Sequence, residues 1–243
     1  MQLVTGCNAG YLPRMMGYLE SLKTHADFPV NFIGVGFEPP FLPGVTRGLR
    51  LDGLQNAGAP NETQCVQHGS FLHVVESKPS EVLLYTDGDM VMQRGLDDSE
   101  RELLALKNNQ VLTSWNGGAH ETLTLEATRL GMRCSMDDLI RDWGEVVKTY
   151  SIYNVGFLAM TRQTWRMVYT TYMLDWDRVS ATFGHMARQQ WLISYVIQSL
   201  GLDVKIAPWS LHAHGHFGLK PGMYYGQGGL WADGKLALFR HHA

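Results

Sequence analysis

Residues Val82–Met92 read Val-Leu-Leu-Tyr-Thr-Asp-Gly-Asp-Met-Val-Met, and no other stretch limits the fold as tightly. The run before Asp87 is apolar on both faces rather than alternating, the pattern of a strand covered on both sides of a sheet. Such strands belong to parallel α/β sheets, whose carboxyl edge is where open α/β folds bind ligands. This strand ends there in Asp87-Gly88-Asp89. Two carboxylates one residue apart repel each other, and a hard divalent cation is the usual compensation.

The chain has 243 residues, 45% hydrophobic and 18% charged, which sustains a sizeable core and excludes global disorder. A net charge of −3 and scattered basic residues leave no electrostatic footprint for nucleic acid. No apolar run approaches the length of a membrane span. Met1 leads straight into Gln2-Leu3-Val4-Thr5, with neither a charged nor a long apolar leader. Cys7, Cys65 and Cys134 are odd in number and widely spaced, which fits a reducing compartment. The expectation is a soluble, cytoplasmic protein folded as one domain over residues 1–243.

In chain order, Leu3–Gly6 reads as a strand. The small residues Thr5-Gly6-Cys7-Asn8-Ala9-Gly10 then expose backbone N–H groups to a ligand. Tyr11–His25 has helical spacing at Leu12, Met15, Met16, Leu19 and Leu22, with Pro13 in its first turn. Val30–Val35 is the next strand, completing a βαβ unit. Residues 38–60 read as loop, and Glu62–Ser77 as a helix on which Gln67, His68 and Gly69 could face the site. After Asp89, acidic residues from Leu96 to Glu100 open a short helix.

Val111–Trp115 is a strand, Glu121–Met132 and Met136–Val147 are helices, and Tyr150–Thr161 is a further buried strand. Asn154 and Gly156 interrupt its start, where a polar contact or a close backbone approach matters. Arg162–Thr182 and Met186–Leu200 are helices, and Val204–Ala207 a strand. His212, His214 and His216 then alternate, so that an extended backbone projects them to one side. The glycine-rich stretch Gly222–Gly234 reads as a flap over a bound ligand or as a frayed tail.

Three chemistries use an Asp-x-Asp pair. An EF-hand loop needs Asp or Asn at its fifth position and Gly at its sixth; Val91 and Met92 stand there. A haloacid-dehalogenase-type phosphatase places Asp-x-Asp-x-Val after an apolar strand, with Asp87 as nucleophile and Asp89 as acid/base. That string usually opens its domain, whereas here a βαβ unit precedes it. A metal-dependent glycosyltransferase uses the pair to hold a divalent ion on a nucleotide-sugar diphosphate.

Five segments decide in favour of the third. The chain resembles the GT-A glycosyltransferases, nearest to the retaining families of glycogenin, the lipooligosaccharide galactosyltransferases and the xyloglucan xylosyltransferases. Val4–Tyr11 resembles the first strand and nucleoside loop. The resemblance implies that Thr5, Gly6 and Cys7 line the base and that Tyr11 stacks on it. Leu83–Val91 resembles the Val-Leu-Tyr-Leu-Asp-x-Asp segment, which implies that Asp87 and Asp89 bind metal and that Gly88 lies at the donor. Tyr153–Met160 resembles Phe-Asn-Ala-Gly-Val-Leu-Leu-Ile. This implies that Asn154 hydrogen-bonds the donor sugar and Gly156 leaves room for it.

Arg188-Gln189-Gln190 stands where relatives carry Asp-Gln, so Gln190 takes the place beside the anomeric carbon and Gln189 replaces the customary acid. His214–Pro221 resembles His-Phe-x-Gly-x-x-Lys-Pro. His216 keeps the His-Phe context and is preferred over His214 as third metal ligand, with Gly218 and Lys220 at the diphosphate. A two-Asp, one-His set suits Mn²⁺ or Mg²⁺ better than zinc. The implied fold is a single-domain, Rossmann-like GT-A sheet, mixed but mostly parallel and flanked by helices. The implied activity is sugar transfer from a nucleotide sugar, UDP-linked, to the hydroxyl of a glycan, lipid or protein acceptor, with retention. Asn154 and Gln190 would be the catalytic pair. A nucleotide-sugar-binding protein without transfer activity stays open as an alternative because of Gln189.

Overall fold

A computed structural model of the chain describes residues 1–52, 75–130, 135–180, 188–214 and 219–241. The expected helix at 62–77, with Gln67, His68 and Gly69, falls almost wholly outside them, as do Cys65, Cys134, His216 and Gly218.

The main sheet is built from β1 (Gln2–Asn8), β2 (Val30–Val35), β3 (Arg47–Leu51), β4 (Val82–Thr86), β6 (Gln110–Gly118), β7 (Ser151–Thr161) and β8 (Asp203–Ile206). Its spatial order is β3-β2-β1-β4-β7-β6-β8. Every pairing is parallel except those of β7, which runs antiparallel to both β4 and β6. β4 is buried along its whole length, as its unbroken apolar run requires. It lies between β1 and β7, so the glycine-rich end of one and the Asn154–Gly156 stretch of the other both border its Asp87 end.

β1 reaches two residues past the expected strand. Gly6, Cys7 and Asn8 pair with Ile33, Gly34 and Val35 of β2, so the turn-prone residues are held in the sheet rather than looped out of it. The segment read as loop contains β3, an edge strand whose Arg47, Gly48 and Arg50 are exposed. Leu49 and Leu51 pack against the core between exposed neighbours, an alternation only two residues deep and too short to mark the strand.

Helix α1 (Leu12–His25) buries Met15, Tyr18, Leu19 and Leu22 on one face of the sheet. On the other face α5 (Arg162–Ser180) and α6 (Arg188–Ser199) bury Trp165, Val168, Trp191 and Val196, together with α3 (Ala119–Leu130) and α4 (Met136–Trp143). Ser135 caps α4 through a reciprocal capping box with Asp138. α2 (Asp98–Leu103) starts in the same way, with Asp97 as cap and Glu100 as its partner.

The glycine-rich stretch Gly222–Gly234 is not a frayed tail. Residues β10 (Tyr224–Gly226), β11 (Gly229–Ala232) and β12 (Lys235–Leu236) form an antiparallel meander. β13 (Phe239–His241) lies between β5 (Met90–Met92), to which it is antiparallel, and β9 (His212–His214), to which it is parallel. The chain's last described strand therefore sits directly beside the residues that follow Asp89.

Candidate metal and donor site

The loop Asp87–Asp89 is fixed from three sides. From β7, the carbonyl of Gly156 accepts from the Asp87 N–H at 2.9 Å. From its own strand, the Tyr85 hydroxyl donates to Asp87 Oδ1 at 2.7 Å. From α1, the Tyr18 and Thr86 hydroxyls meet at 2.5 Å, Ser21 Oγ accepts from the Met92 N–H at 3.0 Å, and Met15 packs where a Cβ on Gly88 would have to go.

The register of β13 between β5 and β9 aligns His241 with Met90 on one side and His214 on the other. This brings His241 Nε2 to 2.9 Å from Asp89 Oδ1 while the ring stays buried. Among the described residues, Asp87, Asp89 and His241 place one ligand atom each within 4.8 Å of one another. Burial raises the Asp87 carboxyl above its ordinary range; His241 opposes this, Asp89 adds to it, and the Tyr85 hydrogen bond opposes it. Two oxygen ligands, one imidazole and a partly buried pair of carboxylates in need of a cation match the preferences of Mn²⁺ or Mg²⁺. Tyr85 adds the outer hydrogen bond that fixes which Asp87 oxygen stays available.

His241 is the ligand candidate that sequence reading overlooks. It carries no motif, and only the pairing of β13 with β5 and β9 brings it to the carboxylates. The preferred third ligand, His216, lies outside the described residues. His212 and His214 are buried side by side, with ring centroids 5.3 Å apart, so the expected one-sided projection holds for both. His212 stacks on Phe157 at 4.8 Å and its Nδ1 is 2.7 Å from Ser114 Oγ, which fastens β9 to β6 and thereby sets the place of β13.

On the β7 side, Asn154 is buried and its Oδ1 accepts from the Gly156 N–H at 3.0 Å. A Cβ on Gly156 would stand 3.0 Å from Asp87 Cγ and 3.1 Å from Asn154 Oδ1. The structure thus brings Asn154, Gly156 and Asp87 into one contact group. Between Thr113 and Ser114 of β6 the partner on β7 jumps from Leu158 to Asn154, so the irregularity lies on β7, at Val155–Phe157, and the ladder is interrupted beside Gly156.

On the β1 side, Thr5 and Cys7 are buried and Gly6 is half-buried. Burial pushes the Cys7 thiol up to about 12. Asn8 accepts from the Tyr11 N–H through both its carbonyl and its Oδ1, at 3.1 and 3.0 Å. The Tyr11 hydroxyl titrates above its ordinary range through burial and then through the charges of Asp89 and Asp87, which places the ring within their field.

Gln190 is half-buried in the first turn of α6. Its carbonyl accepts from Ser194 Oγ at 2.6 Å, and Ser194 Oγ accepts from the Tyr153 N–H at 3.0 Å. This links the head of α6 to the residue before Asn154. Lys220 begins the turn into β10, where its carbonyl accepts from the Met223 N–H at 3.0 Å.

The fold is the GT-A fold. The chain superposes over its whole length on the galactosyltransferase LgtC in complex with donor and acceptor sugar analogues, covering 87% of it at 10% identity with a TM-score of 0.61. It covers 45% of the WbbM bifunctional glycosyltransferase at 12% identity, TM-score 0.64. It covers 98% of mouse xyloside xylosyltransferase 1 at 8% identity, TM-score 0.54. A form of LgtC in which an active-site glutamine is replaced by glutamate also matches, at 10% identity and TM-score 0.62. No family model matches the chain, and no curated protein matches it in sequence.

Proposed function

We propose that the chain is a metal-dependent glycosyltransferase that moves a hexose or similar sugar from a UDP-sugar to an acceptor hydroxyl, with retention. One observation carries the reading: Asp87, Asp89 and His241 converge at the carboxyl end of β4 in a GT-A sheet, with Gly156 and Asn154 against them. The reading takes residues 1–243 as a single transferase domain. The solved structures that share the fold are glycosyltransferases, which does not favour the phosphatase alternative.

Asp87, Asp89 and His241 would hold Mn²⁺ or Mg²⁺, which offsets the charge of the departing diphosphate. His216 remains a candidate for the same role. Thr5, Gly6 and Cys7 present the end of β1 to the nucleoside, and Tyr11 offers its ring to the base. Gly88 and Gly156 are assigned to the donor; the missing side chain of Gly88 lets Met15 pack against the loop, and that of Gly156 lets the Asp87 and Asn154 side chains approach the backbone of β7. Asn154 is preorganised by its bond to Gly156, so its amide can meet a sugar hydroxyl without reorienting. Gln190 is assigned to the reactive face, as the active-site glutamine of LgtC suggests. Lys220 and Gly218 are assigned to the diphosphate. Position 190 carries no strong nucleophile, and neither does position 189, so the acceptor hydroxyl attacks from the face the nucleotide leaves and the departing phosphate takes its proton. The buried free Cys7 fits a reducing cytoplasm, and no helix among the described residues is long and apolar enough to cross a membrane.

The test is UDP release from a panel of UDP-sugars with Mn²⁺, with and without simple acceptors. Turnover that Asp89→Ala abolishes is the expected result. Metal-dependent UDP binding with no turnover for any pair would establish the non-catalytic binder instead. Unchanged UDP–Mn²⁺ affinity in Asp89→Ala would overturn the site itself.

A further inference from the structure

The meander β10–β11–β12 has two unlike faces. Register places Tyr224, Trp231 and Leu236 in one row across the three strands. Tyr225, Leu230, Ala232 and Lys235 point the other way. On that inner side Leu230 and Ala232 are buried with Met223, Ala237 and Ala213 in a small core of their own, while Tyr225, on the edge strand, overhangs it and is 66% exposed. The outer row faces solvent: Tyr224 is 51% exposed and Trp231 is half-buried. Their rings lie nearly parallel, at 13° with centroids 6.1 Å apart, and Trp231 Nε1 is tied to the Gln227 carbonyl at 3.0 Å.

This platform is rigid. Gln93, the residue after β5, donates to the carbonyls of Leu230 and Ala237 at 3.1 and 2.9 Å and accepts from the Leu230 N–H at 2.9 Å. Arg94 donates to the Leu236 carbonyl at 2.6 Å, and Lys235 reaches Asp97 at 2.6 Å. The meander is therefore continuous with the segment that carries Asp87 and Asp89. The charged side chains within the meander, Asp233 and Lys235, are both partnered, Asp233 by the Ser210 N–H at 2.9 Å and Lys235 by Asp97 and Glu100. Nucleic acid and anionic membranes call for cations. A fixed, neutral aromatic surface instead matches a neutral ligand with flat C–H faces and hydroxyls. The outer edge of β10, with Gly226, Gln227 and Gly228 at the turn, supplies backbone donors and acceptors for those hydroxyls.

We infer that Tyr224 and Trp231 form a binding platform for a neutral oligosaccharide, which makes the acceptor of the proposed transferase a glycan. This rests on the glycosyl-transfer reading, but it is read out separately. Binding of malto-, cello-, xylo- and N-acetylchito-hexaose to the full chain is measured by saturation-transfer NMR, with UDP–Mn²⁺ affinity measured in parallel. At least one hexaose is expected to bind. Tyr224→Ala should weaken it about tenfold, as loss of one aromatic contact does. Tyr225→Ala, on the opposite face, should leave it unchanged, and neither should alter UDP–Mn²⁺ affinity. Tyr224 is more than half exposed, so its replacement leaves the small core intact, and an unchanged melting temperature verifies this.

The platform is refuted if no hexaose binds, or if Tyr225→Ala weakens binding as much as Tyr224→Ala. It is equally refuted if Tyr224 proves to be needed for phosphatidylcholine-vesicle binding or self-association rather than for sugar. Hexaose binding without UDP–Mn²⁺ binding would sink the transferase reading and spare the platform.

Discussion

Gly156→Ala isolates the geometry of the site in one methyl group. The glycine is not held at positive φ, so alanine suits its backbone and the effect is steric. The new Cβ would stand 3.0 Å from Asp87 Cγ and closer still to Oδ2, against an ordinary carbon contact of about 3.5 Å or more. Either the carboxylate yields by about 1 Å or β7 moves. If Asp87 yields, it leaves the Tyr85 hydroxyl and the position from which it faces Asp89 and His241. Metal sites tolerate about 0.2 Å, so Mn²⁺ affinity should fall about 10- to 100-fold. Crowding should cost about 1–3 kcal/mol, reduced by up to about 1 kcal/mol because alanine restricts the unfolded chain. The melting temperature of the metal-free protein should then drop by only a few degrees.

Electron paramagnetic resonance of free Mn²⁺ measures the affinity, and scanning calorimetry the stability. Gly17→Ala is the control: it sits in α1 with nothing within 4 Å of the new Cβ and should stabilise slightly while leaving Mn²⁺ affinity unchanged. Wild-type Mn²⁺ affinity in Gly156→Ala would refute the placement of Asp87 as a ligand beside β7.

His241→Ala should lower Mn²⁺ affinity at least tenfold. Titration of His216→Ala alongside it decides which histidine completes the pair, and equal wild-type affinity in both would exclude a histidine ligand at either position. The Asp97 carboxyl is held well below the usual range, first by Lys235 and then by Ser99 and the Glu100 N–H. Its contribution to stability is present above the unfolded carboxylate pKa of about 4 and is lost as pH falls below that. Asp97→Asn should therefore flatten the decline in melting temperature between about pH 4 and pH 2, as followed by circular dichroism. Because burial pushes the Cys7 thiol up to about 12, it should resist alkylation at pH 8 until the protein unfolds. Peptide-resolved mass spectrometry after iodoacetamide treatment would show this, and rapid native labelling of Cys7 would contradict its burial.

Much of the sheet is legible from local pattern alone. β2, β4 and β7 are covered on both faces, so their largely apolar runs announce them, and Asn154 and Gly156 within β7 and Asp87 just past β4 stand out against them. β3 is hidden because its alternation rests on Leu49 and Leu51 alone, within a stretch dominated by proline and glycine. The reversal of β7 is not written in any residue, since an antiparallel strand covered on both faces has the same composition as a parallel one. His241 is illegible for a different reason. Its role depends on register across β5, β13 and β9, strands of three residues each that are too short for periodicity. The meander reads as a tail because glycine-rich turns dominate its composition. Its order comes from Gln93, Arg94, Asp97 and Glu100, far away in sequence.

The seat of β13 between β5 and β9 bears on how the molecule comes into being. A ribosome delivers the Asp87 strand early, yet the imidazole that faces Asp89 is among the last described residues to emerge. Contacts this distant along the chain form late and slowly. Under the proposed assignment Mn²⁺ uptake would then report the arrival of β13, so a chain cut before Phe239 would fold most of its central sheet and still bind the metal weakly.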